Sequence, residues 1–529
     1  MKWIPIRNTC LGFGHTMRCR GLAWLMGALL MPTLVAVAGA APPPCVVPVA
    51  LPVLTLPAVP VWTRGNHGVA GASVLFHFDD DAWWSQAQAY AGLRAAQLGA
   101  LRFPGGELAD NYDWEQHAVE RAADWPGAAA TPAAREARTD YREFLAHAAQ
   151  AGVGQVFMVV NVDGAFRAAG DRRANLQRYA QKAARWVGEV KRAAGGMTVH
   201  WEIGNEPYLG GSFPLTAQEY AQALQVFSAA MRAADPSVRI GAAGPGTLAG
   251  VAFADRLGPA ALARLRAGAI NSRRACPGLT TPACIAAVQQ GEPAPAPLPW
   301  WPEVMAQAGD SFDFAVIHRY ARATPLTPPA FPLSQRVQRL KDALQRSTGR
   351  QVPLALTEWN TPSEKRHGAL SEMEHLMEIA IQRGNDAVAG VDYVLYWPLR
   401  APAPGHRPLL ETDGSPTAVA RLLALLHSLA DADQRAQVML AGGIYLLRSR
   451  SGESEHYLLV NTGTEARVIA LDTAGGGGWT VQQITGDESG KAMPVHTCLA
   501  AGIHPSTPGV HAPARSISLI HRGPGAIGL

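Results

Sequence analysis

From Gly71 onward the chain alternates short apolar runs with amphipathic stretches of helical spacing, and eight of the runs read as β-strands: Ala72–Phe78, Ala100–Phe103, Gln155–Asn161, Thr198–Ile203, Val238–Ala242, Phe312–His318, Val352–Thr357 and Gly390–Trp397. Runs too short and too apolar for surface helices, each followed by a helical stretch, are what a parallel sheet covered by helices requires. Eight such units close into a (β/α)8 TIM barrel, whose functional side chains stand at the C-terminal ends of the strands. The helices have readable ends. Thr216-Ala217-Gln218-Glu219 is a capping box opening a helix to about Ala234, where Asp235-Pro236 stops it. Tyr220, Leu224, Phe227 and Met231 fall on one face of it and are expected in the core. A second helix is expected from about Arg135 to Ala151, ending at Gly152.

The chain has 529 residues, more than one barrel needs, and 48% hydrophobic against 17% charged residues describes a folded chain. Residues 1–40 read as an export signal, with Lys2, Arg7, Arg18 and Arg20 as its only charges, an apolar core from Leu22 to Val37, and Ala38-Gly39-Ala40 at the cleavage site. That core is short for a membrane span, so a secreted or periplasmic location is expected, with no membrane span after signal removal. The signal takes four bases and no acids from totals of 46 Lys+Arg and 42 Asp+Glu, leaving 42 against 42. The basicity goes with it, and nothing points to nucleic acid as a partner.

Four cysteines remain. Cys276 and Cys284 are placed to staple a Pro-rich loop, and Cys45 with Cys498 would tie the chain ends together. Residues 41–60 form a Pro-rich, uncharged lead-in that is a candidate to pair with the C-terminal domain, and 61–430 hold the barrel. An insertion at about 245–295 separates strands five and six; Trp300-Trp301 at its end is expected to pack rather than to stack on a ligand. After a helix around Thr417–Ala430, residues 431–529 change to short strands between Gly, Ser and Asp turns: Val438–Leu447, His456–Val460, Ala466–Leu471, Gly478–Ile484 and Ser516–Ile520. This pattern predicts a C-terminal β-sandwich serving as a structural partner of the barrel.

Two of the barrel runs carry the chemistry. Trp201-Glu202-Ile203-Gly204-Asn205-Glu206-Pro207 and Pro353-Leu354-Ala355-Leu356-Thr357-Glu358-Trp359-Asn360 each deliver a glutamate at the end of an apolar strand. Paired carboxyl groups are what glycosidic cleavage needs: one protonates the departing oxygen, and the other attacks the anomeric carbon or activates water. No cofactor is required. Asn205 sets an amide beside Glu206, and Trp201 and Trp359 set aromatic surface near each carboxyl group. His67, His77 and His200 do not form a ligand pattern, and the expected metal set is none.

With these motifs the chain resembles the retaining glycoside hydrolases of clan A, and within them the α-L-arabinofuranosidases of family 51. The resemblance runs from Leu101-Arg102-Phe103-Pro104-Gly105-Gly106, with Tyr112 and Trp114, through Trp201–Pro207 and His318-Arg319-Tyr320 to Thr357-Glu358-Trp359-Asn360. It implies a carbohydrate substrate, Glu206 as general acid/base and Glu358 as nucleophile. It further implies Arg102 holding Glu358 ionised, and Tyr320 or His318 bonding the nucleophile or the sugar. Trp397 would stack beneath the sugar; Asn161 and Asp163 are expected to be turn residues. The sequence departs from the family at Glu107, where an asparagine is usual, and at His77-Phe78-Asp79, where a glutamate is usual. Family 39 and family 79 enzymes, β-xylosidases and β-glucuronidases, share the Asn-Glu-Pro feature, as would an endoglycosidase acting on exopolysaccharide. A noncatalytic glycan-binding barrel is the alternative of another class.

Overall fold

The computed structural model describes residue 51 and most of 53–522, leaving out 56–62, 65–67, 121–137, 210–212, 268–275, 277–280, 327–331, 363–367, 402–405, 471–478 and scattered single positions. The export signal and Cys45 lie outside the described residues.

Eight parallel strands close a barrel: β1 Val69–Ser73, β2 Ala100–Phe103, β3 Gln155–Val160, β4 Thr198–Ile203, β5 Arg239–Gly244, β6 Phe314–Tyr320, β7 Leu354–Asn360 and β8 Tyr393–Tyr396. Each pairs with the next in sequence, and β8 pairs with β1 through Tyr393↔Val69 to Tyr396↔Ala72. Leu101 and Phe103 face outward, Phe103 stacking on Phe144 of the helix Tyr141–Ala151 at 4.9 Å, so Arg102 between them faces the barrel interior. By the same alternation Trp201 meets Trp186 of the outer layer, while His200 and Glu202 point inside.

The first strand differs from expectation. It starts at Val69 and ends at Ser73; the apolar Val74, Leu75 and Phe76 are buried in the loop that follows, with Phe78 donating to Leu75 O. The loop is apolar because it is packed into the barrel mouth. Strands β6 and β7 run further than expected, to Tyr320 and Asn360, so polar residues after the apolar run stay in the sheet.

The capping box at Thr216 and Glu219 opens Ala217–Ala234, and Tyr220, Leu224, Phe227 and Met231 are all 0% exposed. The helix Tyr141–Ala151 starts later than expected because Asp140 caps it, accepting from Arg142 N and Glu143 N; it ends at left-handed Gly152. Between β5 and β6 the insertion carries helices Pro259–Ala267 and Thr281–Gln289, the disulfide Cys276–Cys284, and a small core that includes Phe253, Leu257, Ala261 and Leu265. Trp300 and Trp301 are fully buried, their indole N–H groups donating to Ala243 O and Pro245 O.

The C-terminal strands are β9 Gln434–Leu440, β10 Ile444–Ser451, β11 Ser454–Asn461, β12 Arg467–Ala470, β13 Trp479–Thr485, β14 His496–Leu499, β15 Gly502–His504, β16 Thr507–Ala512 and β17 Ser516–Arg522. The run Val438–Leu447 is therefore a hairpin, not one strand: Gly442 and Gly443, both at φ 79°, turn the chain between β9 and β10. A large antiparallel sheet ordered β14-β13-β17-β11-β10-β9 packs on a smaller one of β12, β16 and β15. Leu446, Tyr457, Leu459, Trp479, Val481 and Ile520 meet Ile469, Val510 and Ala512 between them. On the other face Tyr445, Leu447, Leu458 and Val460 join the core of the barrel, so this sheet is buried on both sides. The chain ahead of the barrel also enters here: Val53–Thr55 of the lead-in pairs with β12, and Thr63–Arg64, just beyond it, pairs with β9. Cys498 of β14 is disulfide-bonded.

Candidate active site

Strand β4 ends at Ile203, and Gly204 at φ 79° followed by Glu206 at φ 47° swings the chain over the barrel rim. A non-glycine residue in the left-handed region is strained by about 1 kcal/mol or more, a cost accepted where a side chain must be aimed. Glu206 is aimed at the mouth. Its Oε1 lies 3.0 Å from Nδ1 of His318 on β6, and that nitrogen lies 3.5 Å from Oε2 of Glu358 on β7. The register of β6 on β7 shifts between Ile317 and His318, placing His318 beside Glu358. One donor atom from each of Glu206, His318 and Glu358 lies within 4.8 Å of the others.

Arg102 ties the set together from below. Its Nη1 donates to Glu358 Oε1 at 2.7 Å, Nη2 to Asn205 Oδ1 at 2.8 Å, and Nε to Glu202 Oε2 at 2.9 Å. Asn205 is held in turn by its backbone N–H, which donates to Asp110 Oδ1 at 2.9 Å. Tyr320 donates to the second oxygen of Glu358 at 2.7 Å, and His318 Nε2 meets Thr357 Oγ1 at 3.2 Å. Side-chain exposure is 14% for Glu206, 5% for Glu358 and 0% for Arg102, so these charges act at low effective dielectric. Six of the seven residues singled out from sequence thus share one bonded network; His318 and Tyr320, which the sequence did not rank, both belong to it. The trio of Glu206, His318 and Glu358 is also compact enough to share a cation, but Arg102 and Tyr320 already bond both oxygens of Glu358.

The seventh, Trp397, follows β8 and is partly exposed. It lies over the Gly105-Gly106 turn, where Gly106 sits at φ 72° and a Cβ on it would fall 2.7 Å from the indole. Only glycine fits beneath this ring. Asn161 behaves as a turn residue, its Oδ1 accepting from Gly164 N at 2.9 Å. Asp163 does not: it is buried as the first residue of the short helix Asp163–Arg167.

Sequence reasoning missed Glu202, Asp110 and Tyr208. Glu202 is fully buried, and its Oε1 meets no hydrogen-bond donor among the described residues. Tyr208 directly follows the Asn-Glu-Pro turn; burial first, then the charges of Glu206 and Glu358, push its phenol well above the ordinary range. The signal for Glu202 was strand parity, since an inward His200 makes Glu202 inward too.

The electrostatics separate these groups. Burial would lower the His318 pKa, but the charge of Glu358 and the bond and charge of Glu206 outweigh it, and the value rises. Tyr320 is 39% exposed as a residue, but its hydroxyl is enclosed against Glu358; that desolvation, then the charges of Glu358 and Glu206, hold it well above the usual tyrosine range as a neutral donor. Burial and the charge of Asp163 drive Asp110 well up; burial pushes Asp163 to about 7. The two positions that depart from family 51 differ in environment. Asp79 is fully buried and accepts from Arg400 Nε at 2.9 Å and Leu75 N at 2.6 Å, and burial raises it to about 6. Glu107 acts electrostatically on Asp110 and Asp163. His77 lies outside the described residues.

No family model matches the chain, and no curated protein matches it in sequence. Solved structures do match in shape. A family 51 α-L-arabinofuranosidase from Bifidobacterium longum superposes with a TM-score of 0.59 at 14% identity, over 88% of this chain and 97% of that one. The α-L-arabinofuranosidase of Thermotoga maritima, solved as an arabinose complex, gives 0.55 at 16% identity over 89% and 98%. CelM2, a bifunctional glucanase-xylanase from a metagenome library, gives 0.54 at 14% identity over 87% and 97%. The fold is that of these glycoside hydrolases. At such identities the likeness is one of architecture, and the chemistry must be argued from the side chains. No described helix is long and apolar enough to cross a membrane.

Proposed function

We propose that the protein is an exported retaining glycoside hydrolase that cleaves oligo- or polysaccharides through a covalent glycosyl-enzyme. The observation carrying this is the approach of Glu206 and Glu358 to within 4.8 Å. Double displacement works with carboxyl groups about 5–5.5 Å apart, whereas inversion needs roughly 6.5–9.5 Å to admit water between them. Glu358 attacks the anomeric carbon while Glu206 gives its proton to the departing oxygen; Glu206 then takes a proton from the water that releases the sugar. Arg102 and Tyr320 hold the nucleophile from two sides. Asn205 gives its carbonyl to Arg102, which turns its NH2 toward a sugar hydroxyl. Trp397, propped on Gly105-Gly106, offers the ring for stacking.

The motifs shared with family 51 support an arabinofuranosidase-like specificity; the shape is shared with a glucanase-xylanase as well. One observation favours a related clan A activity on a pyranoside, such as a β-xyloside or an exopolysaccharide unit: Asp79, near where a furanose-contacting glutamate is expected, is consumed by Arg400. The noncatalytic alternative would gain weight if Arg102 and Tyr320 pointed away from the glutamates, whereas both bond Glu358.

A panel of aryl glycosides with product anomer read by NMR tests the reading, retention being the expected result. Glu206→Gln should cost about 10²–10⁴-fold, more for poor leaving groups. Glu358→Gln should abolish turnover, and azide should restore it in Glu358→Gly. Full activity in either glutamine variant removes the assignment. Export is tested by sequencing the N-terminus of the protein recovered outside the cytoplasm, expected near Ala41.

A further inference from the structure

We propose that Glu202 is a positioning residue that fixes the Arg102 guanidinium toward Glu358 and keeps that guanidinium paired when Glu358 loses its charge. The inference rests on the double-displacement reading above. A guanidinium turns freely about its Cδ–Nε bond, and anchoring Nε stops that rotation. In this site Nε is anchored by Glu202 at 2.9 Å, and the planar fork then aims Nη1 at Glu358 and Nη2 at Asn205.

Charge bookkeeping gives Glu202 a second task. When a Glu358 oxygen forms its bond to the anomeric carbon, the leaving-group oxygen departs with the Glu206 proton, and Glu358 becomes a neutral ester. Glu206 becomes the carboxylate in the same step, and Arg102, fully buried, loses the charge of the group that its Nη1 bonds directly. Glu202, equally buried, keeps a neutral pair beneath the ester. Oε1 of Glu202 meets no donor among the described residues, so Arg102 is the partner that offsets the cost of burying this carboxylate. The other titratable groups on this hub are Glu206 after β4, His318 and Tyr320 on β6, Glu358 on β7 and Tyr208 beyond the rim, with Tyr220 behind β4.

The test compares wild type, Glu202→Gln and Glu202→Asp. In the glutamine variant an uncompensated Arg102 over-stabilises ionised Glu358. The acid limb of kcat/KM should move down by about one pH unit and the rate of glycosyl-enzyme formation should fall roughly 10–100-fold. Glu202→Asp should return the acid limb toward wild type, and thermal unfolding should show both variants folded. A folded glutamine variant whose acid limb superimposes on wild type overturns the proposal. A wild type that cleaves no glycoside refutes the enzymatic reading instead. In that case NMR titration of His318 decides the inference without catalysis: loss of the Glu202 charge should lower the His318 pKa, and an unmoved titration overturns the pairing role.

Discussion

Two buried histidines stand inside the same barrel and titrate in opposite directions. His200 of β4 is stacked on Phe157 at 4.5 Å, lies 4.9 Å from Tyr393 and 5.6 Å from Phe314, and its side chain meets Gln155 Oε1 at 2.9 Å. Burial, reinforced by the charge of Arg239, lowers its pKa to about 3. His318, at the opposite end of the strands, is raised because Glu358 and Glu206 outweigh its burial. Burial is common to both; carboxylates make the difference. The lower end of the barrel is an aromatic plug that, with Arg239 acting on it, disfavours a charge on the His200 ring. The mouth concentrates charge at a cost in stability, which is the pattern of a site built for chemistry.

The contrast breaks most severely at Arg102. Arg102→Met should leave Glu202 and Glu358 buried without their counter-charge, costing about 3–5 kcal/mol by chemical denaturation at pH 7.5. The loss should shrink on acidification, as the two carboxyl groups are protonated. A variant as stable as wild type at pH 7.5 would mean that the mouth does not depend on this hub.

How far the site was readable follows from what sets each position. Glu206 and Glu358 were visible because strand-end placement follows from apolar runs that stop abruptly. Asn205 was visible as the amide adjoining Glu206, and Arg102, His318 and Tyr320 came through the resemblance. Glu202 was hidden inside Trp201-Glu202-Ile203, where a charged residue in a buried strand looks like interruption rather than function. The relation of His318 to Tyr320 depends on the register shift at Ile317, which arises from pairing with β7 and leaves no local mark. Asp110 meets Asn205 across 95 residues, and no periodicity reports such a contact. The errors in fold have the same origin. Val74, Leu75 and Phe76 are apolar because the loop plugs the mouth, and the strand β9–β10 boundary was lost because two glycines read as part of an apolar run.

A smaller effect lies at the edge of the mouth. Asp163 is held at about 7 mainly by burial, against 3.8 for an ordinary aspartate. Folded protein therefore binds a proton more tightly there than unfolded chain, and stability is lost as pH rises from about 4 through 7. Asp163→Asn replaces the neutral acid by a neutral amide. It should gain up to about 4 kcal/mol at pH 7.5 and nothing at pH 4, read as unfolding midpoints at both pH values. A lower midpoint at pH 7.5 would show that the ionised form is needed, by an ion or by Arg167.

The smallest change is at the opposite end, and it tests whether the plug disfavours a charge on the His200 ring. His200→Leu removes a ring whose Nδ1 has no partner among the described residues and substitutes an apolar side chain among Phe157, Phe314 and Tyr393. Because the folded pKa lies below the unfolded value of 6.5, wild-type stability falls as pH drops from 6.5 toward 3, when the unfolded chain takes up a proton that the folded one refuses. The variant escapes this term. It should match wild type within about 1 kcal/mol at pH 7.5 and gain on it by about 1 kcal/mol per pH unit below 6.5, with kcat unchanged. His318→Leu should behave oppositely, losing activity at every pH while acid stability gains nothing. Equal responses from the two histidines would place both in one environment and dissolve the distinction between plug and mouth.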